Sequence, residues 1–193
     1  MKKTRKKVKK ETKENIYNVP NFITATRVII TFVILYLIFT GFPVVPVVVL
    51  FVIGMITDGL DGFIARRLKQ TTKFGARFDM TADRILFIGT ISGILIYNIS
   101  NNIFGGFEIF MILLLMTREI VTFPFALISF FSGTHMPERA HFLGKSTTFL
   151  QAVAFPMFLL KWPIAIYFVV LTAVVGFLSS LIYIRDVAEN KRR

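Results

Sequence analysis

The chain contains no cysteine, which excludes a disulfide framework and any thiolate-ligated metal or redox centre. Carboxylates are scarce: 11 Asp and Glu stand against 23 Lys and Arg, and there are only 2 His. No internal repeat is present, and the sole low-complexity stretch is the basic opening "MKKTRKKVKKETKEN". What the sequence has in excess is apolar side chains, 54% of 193 residues, too many for a soluble domain of this size. They gather into repeated runs of roughly 20 residues, the length needed to cross a ~30 Å hydrocarbon core. The first run, from Asn21 to Phe42, is too long for a signal-peptide core and no small-residue cleavage site follows it, so it is expected to be retained.

The net charge of +12 could suggest nucleic acid, but its distribution argues otherwise. Basic residues crowd the tail before the first run, then Arg66, Arg67, Lys69, Lys73 and Arg77 fill the linker after the second run. Arg139 and Lys145 follow the fourth run, and Arg185, Lys191, Arg192 and Arg193 follow the last. The alternate linkers, "GFPVVP", "NISNNIFGGFE" and "LKWP", hold only Lys161. That alternation is the positive-inside pattern for six spans with both termini cytoplasmic, and the basic tail reads as topology signal and contact with anionic headgroups, with no nucleic-acid partner. The sequence therefore predicts an all-α polytopic membrane protein with spans near 20–41, 44–68, 76–98, 104–131, 145–162 and 164–185. The division is a basic tail over 1–19, one six-helix domain over 20–185 and a basic tail over 186–193. The expected location is the cell membrane, with the active face toward the cytoplasm.

Four aspartates break into this apolar frame. Asp58 and Asp61 close the second run and Asp79 and Asp83 open the third; ionisable groups at such positions are costly and mark functional sites by default. On a helix Asp58 and Asp61 lie about 60° apart, with Gly62 and Ala65 on the same side, while Asp79 and Asp83 stack on one face with Gly75 a turn earlier. A hairpin of the two spans brings both pairs together near the cytoplasmic surface. Four converging anions call for cations, and an all-oxygen donor set suits hard divalent ions such as Mg²⁺, Mn²⁺ or Ca²⁺, two of which, roughly 3.5–4 Å apart, would fit a phosphoryl-transfer site. Glycine and alanine on the shared face let a bulky ligand approach the backbone, and Arg66 is placed to meet phosphate. Two other readings exist: aspartates that cap helix ends or pair with Arg66, Arg77 and Arg84, or a permeation site in a divalent-cation transporter.

The run Asp58-x2-Asp61-Gly62-x2-Ala65-Arg66-x8-Gly75-x3-Asp79-x3-Asp83 resembles the signature of the CDP-alcohol phosphotransferase (CDP-alcohol phosphatidyltransferase) family, with every signature position filled. The resemblance implies transfer of a phosphatidyl or archaetidyl group from a CDP-linked lipid, of the CDP-diacylglycerol type, to an alcohol, with release of CMP. It also implies Mg²⁺ or Mn²⁺ bound by Asp58, Asp61, Asp79 and Asp83, with Asp83 as general base. Gly62, Ala65, Arg66 and Gly75 would line the CDP pocket.

Within that family the chain is most similar to phosphatidylglycerophosphate synthases. "PNFITATR" resembles the start of their first span, and Asn21, Thr24 and Arg27 form a three-residue-step polar stripe. It either points inward, with Asn21 and Thr24 meeting the CDP-lipid, or serves as a cap at Asn21 and a snorkelling Arg27. Arg118 and Glu119 interrupt the fourth span; neighbours do not share a helix face, so Arg118 reads either as a phosphate ligand or as half of an interhelical ion pair. Arg139 and Lys145 could add charge for an anionic acceptor or be solvated linker cations. "GKSTTFLQ" resembles a Gly-Lys-x-Lys-Thr stretch with Thr147 replacing the second lysine; it lacks the frame of a nucleotide-binding loop. His135 and His141 are expected at the interface. The acceptor expected is glycerol phosphate, with inositol phosphate, serine and inositol behind it. Gly89-x3-Gly93 serves either packing within the bundle or the seam of an expected homodimer.

Overall fold

The computed structural model describes residues 19–67, 73–131 and 142–190, and every regular element among them is helical: α1 (Val19–Phe39), α2 (Val44–Arg67), α3 (Lys73–Ser100), α4 (Gly106–Leu115), α5 (Thr117–Phe131), α6 (Phe142–Leu159) and α7 (Ala165–Asn190). Three of them, over Asn21–Phe39, Thr81–Ser100 and Ala165–Asp186, are long and apolar enough to cross a membrane. Among the described residues, α2 carries a shorter apolar stretch, Val44–Thr57, ahead of the aspartates in its C-terminal part.

The helices bury an apolar core, as a soluble bundle does, but also turn large apolar side chains outward. In α1 the buried positions are Asn21, Thr24, Arg27, Thr31, Ile34 and Ile38, while Phe22, Ile29, Phe32 and Tyr36 are exposed. The spacing of three and four puts the buried set on one stripe, polar at its start and apolar at its end. Large apolar side chains facing outward are what a hydrocarbon solvent selects; the interior is free to hold polar groups where a site requires them.

Packing is tightest where small residues let backbones approach. A Cβ on Gly89 would stand 3.3 Å from Thr31 Cγ2, and one on Gly93 only 2.6 Å from a Leu35 methyl. The Gly89/Gly93 face is thus covered by α1, and the motif serves packing within the bundle. The α1 and α3 pairing is parallel, since Arg27, Thr31 and Leu35 meet Asp83, Gly89 and Gly93 in ascending order. Against α2 the order is reversed. Gly54 abuts Leu86, whose Cδ2 would lie 2.7 Å from an added Cβ, and Val47 and Val44 share a cavity with Ile94 and Tyr97, so each step along α2 toward its end matches a step back along α3. Phe155 of α6 closes the centre, edge-on to Phe51 with centroids 4.9 Å apart and 6.3 Å from Phe87; such tilted arrangements suit the ring quadrupoles. The shared cavity, about 570 Å³ and lined also by Phe104, Met111 and Phe158, lies at the other end of α1 and α3 from Asp79 and Asp83.

The fourth expected span is two helices. α4 ends at Leu115; the next residue, Met116, has φ of −89° and ψ of 7° in the sparsely populated bridge region, and α5 starts at Thr117. Thr117 Oγ1 donates to the Leu114 carbonyl at 2.7 Å, and the Leu115 carbonyl accepts from the Gln151 side chain at 3.0 Å. Side chains therefore satisfy carbonyls at the break, which is how irregular backbone is tolerated inside a membrane bundle.

Candidate functional site

Asp79 and Asp83 are one turn apart on α3, so their carboxylates share a face. Both are turned toward α1, where Arg27 Nη1 donates to Asp79 Oδ1 at 3.1 Å and also to Asp83 Oδ1. Arg27 is wholly buried, while the two carboxylates remain about a third exposed, 35% and 30%. The stripe on α1 thus points inward: Asn21 and Thr24 are buried beside Arg27, Arg27 does not snorkel, and Asn21 is not a cap because α1 begins at Val19. Among the described residues the α3 carboxylates pair with a cation from α1; of the arginines the structural alternative named, the side chains of Arg66 and Arg77 lie outside the described residues.

The second pair comes from α2. The backbone of Asp58, Asp61, Gly62, Ala65 and Arg66 belongs to that helix, but their side chains lie outside the described residues, as do Arg139, His135 and His141 altogether. The register is nonetheless defined by Gly54 against Leu86. Asp58 follows Gly54 by one helical turn, and Asp83 precedes Leu86 by about one turn. In an antiparallel pair this brings position 58 level with 82–83 and position 61 level with 79. The two aspartate-bearing segments therefore stand at the same depth. Among the described residues no group of three or more potential ligands is assembled, the second pair being beyond them. The donor chemistry fits hard divalent cations: two part-open carboxylates on one helix face, opposite a segment bearing two more. Gly75, half-buried, sits one turn before Asp79.

A second polar cluster is built from α5, α6 and α7. Arg118, half-buried, donates through Nη1 to Thr148 Oγ1 at 3.1 Å, and Thr148 donates in turn to the Gly144 carbonyl at 3.1 Å. Glu119 instead accepts from Gln151 Nε2 at 2.9 Å. Among the described residues neither Arg118 nor Glu119 forms an ion pair, so the interhelical salt bridge is not what holds Arg118. Arg84, the residue after Asp83, is exposed. Lys145 is exposed on the first turn of α6.

Sequence reasoning missed Gln151 and Thr148 as members of the cluster. Gln151 carried a signal: a neutral amide within an apolar span is costly unless bonded. Thr148 carried none, because a threonine in a helix can satisfy itself on the preceding turn.

A family model described as CDP-alcohol phosphatidyltransferase matches residues 17–179. Among curated proteins, the chain is 41% identical over 78 residues to a CDP-diacylglycerol--glycerol-3-phosphate 3-phosphatidyltransferase of Haemophilus influenzae, covering 39% of this chain and 42% of that protein. It is 44% identical over 72 residues to the protein of the same name from Sodalis glossinidius, covering 36% and 39%. A Yersinia enterocolitica protein, also so named, is 46% identical over 72 residues with the same coverage. The chain thus spans about two fifths of the length of the curated relatives it matches.

Proposed function

Because the chain belongs to the CDP-alcohol phosphatidyltransferase family, we propose that it transfers the phosphatidyl group of a CDP-diacylglycerol-type lipid to glycerol phosphate and releases CMP. The observation that carries this reading is the register of α2 on α3, with Gly54 seated on Leu86, which supports a single site made from both aspartate pairs. Asp58, Asp61, Asp79 and Asp83 are proposed to hold two divalent ions, Mg²⁺ or Mn²⁺, which when bound neutralise the diphosphate and the departing CMP. Gly62, Ala65, Arg66 and Gly75, with Asn21 and Thr24, are proposed to receive the CDP-lipid.

In the transfer, the acceptor oxygen bonds to the phosphorus that carries the diacylglycerol. The bond from that phosphorus to the oxygen it shares with the CMP phosphate breaks, and CMP leaves with that oxygen. Asp83 takes the acceptor hydroxyl proton. Arg118, with Arg139 and Lys145, is proposed to bind the acceptor's own phosphate. Arginine suits that task because its planar fork meets phosphate through paired hydrogen bonds. The names of the curated relatives support glycerol phosphate as that acceptor.

The proposal further comprises six membrane crossings, with α4 and α5 together making the fourth. Both termini and the aspartate face lie on the cytoplasmic side, as the charge alternation supports. Assembly as a homodimer would use a surface other than the Gly89/Gly93 face, which α1 covers. The test is CMP release by the purified protein given CDP-diacylglycerol, Mg²⁺ and a panel of acceptors. Turnover with glycerol 3-phosphate supports the reading. Turnover with only serine, inositol or inositol phosphate overturns the acceptor, and divalent-cation flux in proteoliposomes without CMP formation overturns the enzyme.

A further inference from the structure

The break between α4 and α5 places two opposite charges, Arg118 and Glu119, side by side in an apolar environment. Adjacent carboxylate and guanidinium groups in such surroundings attract strongly, and a pair that closed on itself would leave little positive charge for a substrate. Among the described residues no ion pair joins them. The cause is on α6. Gln151 is 2% exposed, and its Nε2 reaches both the Leu115 carbonyl at 3.0 Å and Glu119 Oε2 at 2.9 Å. A carboxamide NH₂ has two hydrogens to give, and here each has an acceptor: the carbonyl at the break and the carboxylate just beyond it.

Thr148 sits three residues before Gln151, on the same side of α6, and takes the guanidinium of Arg118 at 3.1 Å. One face of α6 therefore sorts the two charges, the anion to Gln151 and the cation to Thr148. The stem of Arg118 is backed by α7, where a Cβ on Gly176 would stand 3.3 Å from Arg118 Cβ and 3.3 Å from Thr147 Cγ2. From this arrangement we infer that Gln151 is a positioning residue: by fastening Glu119 to α6 it holds the carboxylate out of a direct ion pair with Arg118, whose guanidinium stays available to an anionic substrate. The inference rests on the reading of Arg118 as a ligand of the acceptor phosphate. A glutamate at 151 would present an acceptor to two acceptors, an asparagine would be too short to span both, and a leucine would release Glu119 altogether.

The experiment uses the full chain in detergent with Mg²⁺, and reads the KM for glycerol 3-phosphate, the KM for CDP-diacylglycerol and Tm. Gln151→Leu is expected to raise the acceptor KM about tenfold while the CDP-lipid KM stays within about twofold. Adding Glu119→Gln to Gln151→Leu removes the charge that had been released, and is expected to bring the acceptor KM back to within about threefold of the unsubstituted protein. Tm should not recover in that double variant, because the Leu115 carbonyl still lacks its donor; this separates positioning from folding. Should Gln151→Leu fail to fold, Gln151→Asn supplies the same comparison with and without Glu119→Gln. An unchanged acceptor KM in the Gln151 variant, or a double variant as impaired as the single, overturns the inference. Failure of the underlying reading looks different: Arg118→Lys would leave the acceptor KM unchanged, removing the premise and the inference with it.

Discussion

Arg27 Nη1 lies 3.1 Å from Asp79 Oδ1, joining two residues 52 positions apart in the chain. The same nitrogen reaches Asp83, so a single buried guanidinium bridges both carboxylates of α3. It supplies a fixed positive charge beside the α3 carboxylates, and it comes from α1, the helix parallel to α3.

Loss of that cation has a measurable consequence. Arg27→Met should lower stability by about 2–3 kcal/mol, somewhat less than for a fully buried pair because both carboxylates are part-open. For a chain of this size that corresponds to a Tm lower by roughly 4–12 °C. Mg²⁺ should raise the Tm of the variant more than that of the unsubstituted protein, since a bound cation replaces the missing one. Equal Mg²⁺ shifts in the two proteins would show that Arg27 and the metal do not share the carboxylates.

Metal removal is the second test. CMP release should cease in EDTA and return with Mg²⁺ or Mn²⁺, because the donors are all carboxylate oxygens. Asp61→Asn keeps the side-chain shape and removes one charge, and should reduce turnover at least ~100-fold with little change in Tm. Full activity in a metal-free preparation, or in the Asp61→Asn variant, would contradict the assignment.

The depth match between α2 and α3 can be probed away from the aspartates. Gly54→Val adds bulk where Leu86 Cδ2 and Cδ1 already stand 2.7 and 3.2 Å from an added Cβ. Overpacking of this kind costs about 1–3 kcal/mol, and pushing the helices apart should lower turnover more than it raises either KM. Normal turnover at normal Tm would mean that this contact does not set the site.

Arg118→Lys keeps the charge and loses the planar fork. It is expected to raise the KM for glycerol 3-phosphate about five- to tenfold and leave that for CDP-diacylglycerol nearly unchanged. A fall in Tm with both KM values normal would instead indicate a structural arginine, and kinetics and unfolding on one preparation decide between them.

Much of this was legible before any coordinates. The apolar runs predicted helices because a backbone in hydrocarbon must satisfy itself, and the DxxDG…AR…G…DxxxD spacing pointed to a shared face because 3.6-residue periodicity is rigid. The Arg27 bridge was not legible. It depends on α1 packing beside α3 with α2 intervening in sequence, and no local pattern encodes that neighbour. The break at Met116 also left no mark, since "LLLMTRE" has neither glycine nor proline; the partner that satisfies the Leu115 carbonyl is Gln151, 36 residues further on.

The burial of Arg27 also bears on how the molecule is assembled. α1 is synthesised long before Asp79 and Asp83 exist, so at first its arginine has no carboxylate to meet and an unaccompanied charge is poorly tolerated at depth. On the proposed topology, a long stem and a position near the start of α1 would let it keep its head among lipid headgroups while the helix waits. Only when α3 enters alongside can the guanidinium be drawn down to zero exposure. On the proposed topology, the inward seat of this one side chain would be a late event in biogenesis, and α1 would be among the last of the described helices to reach its final depth.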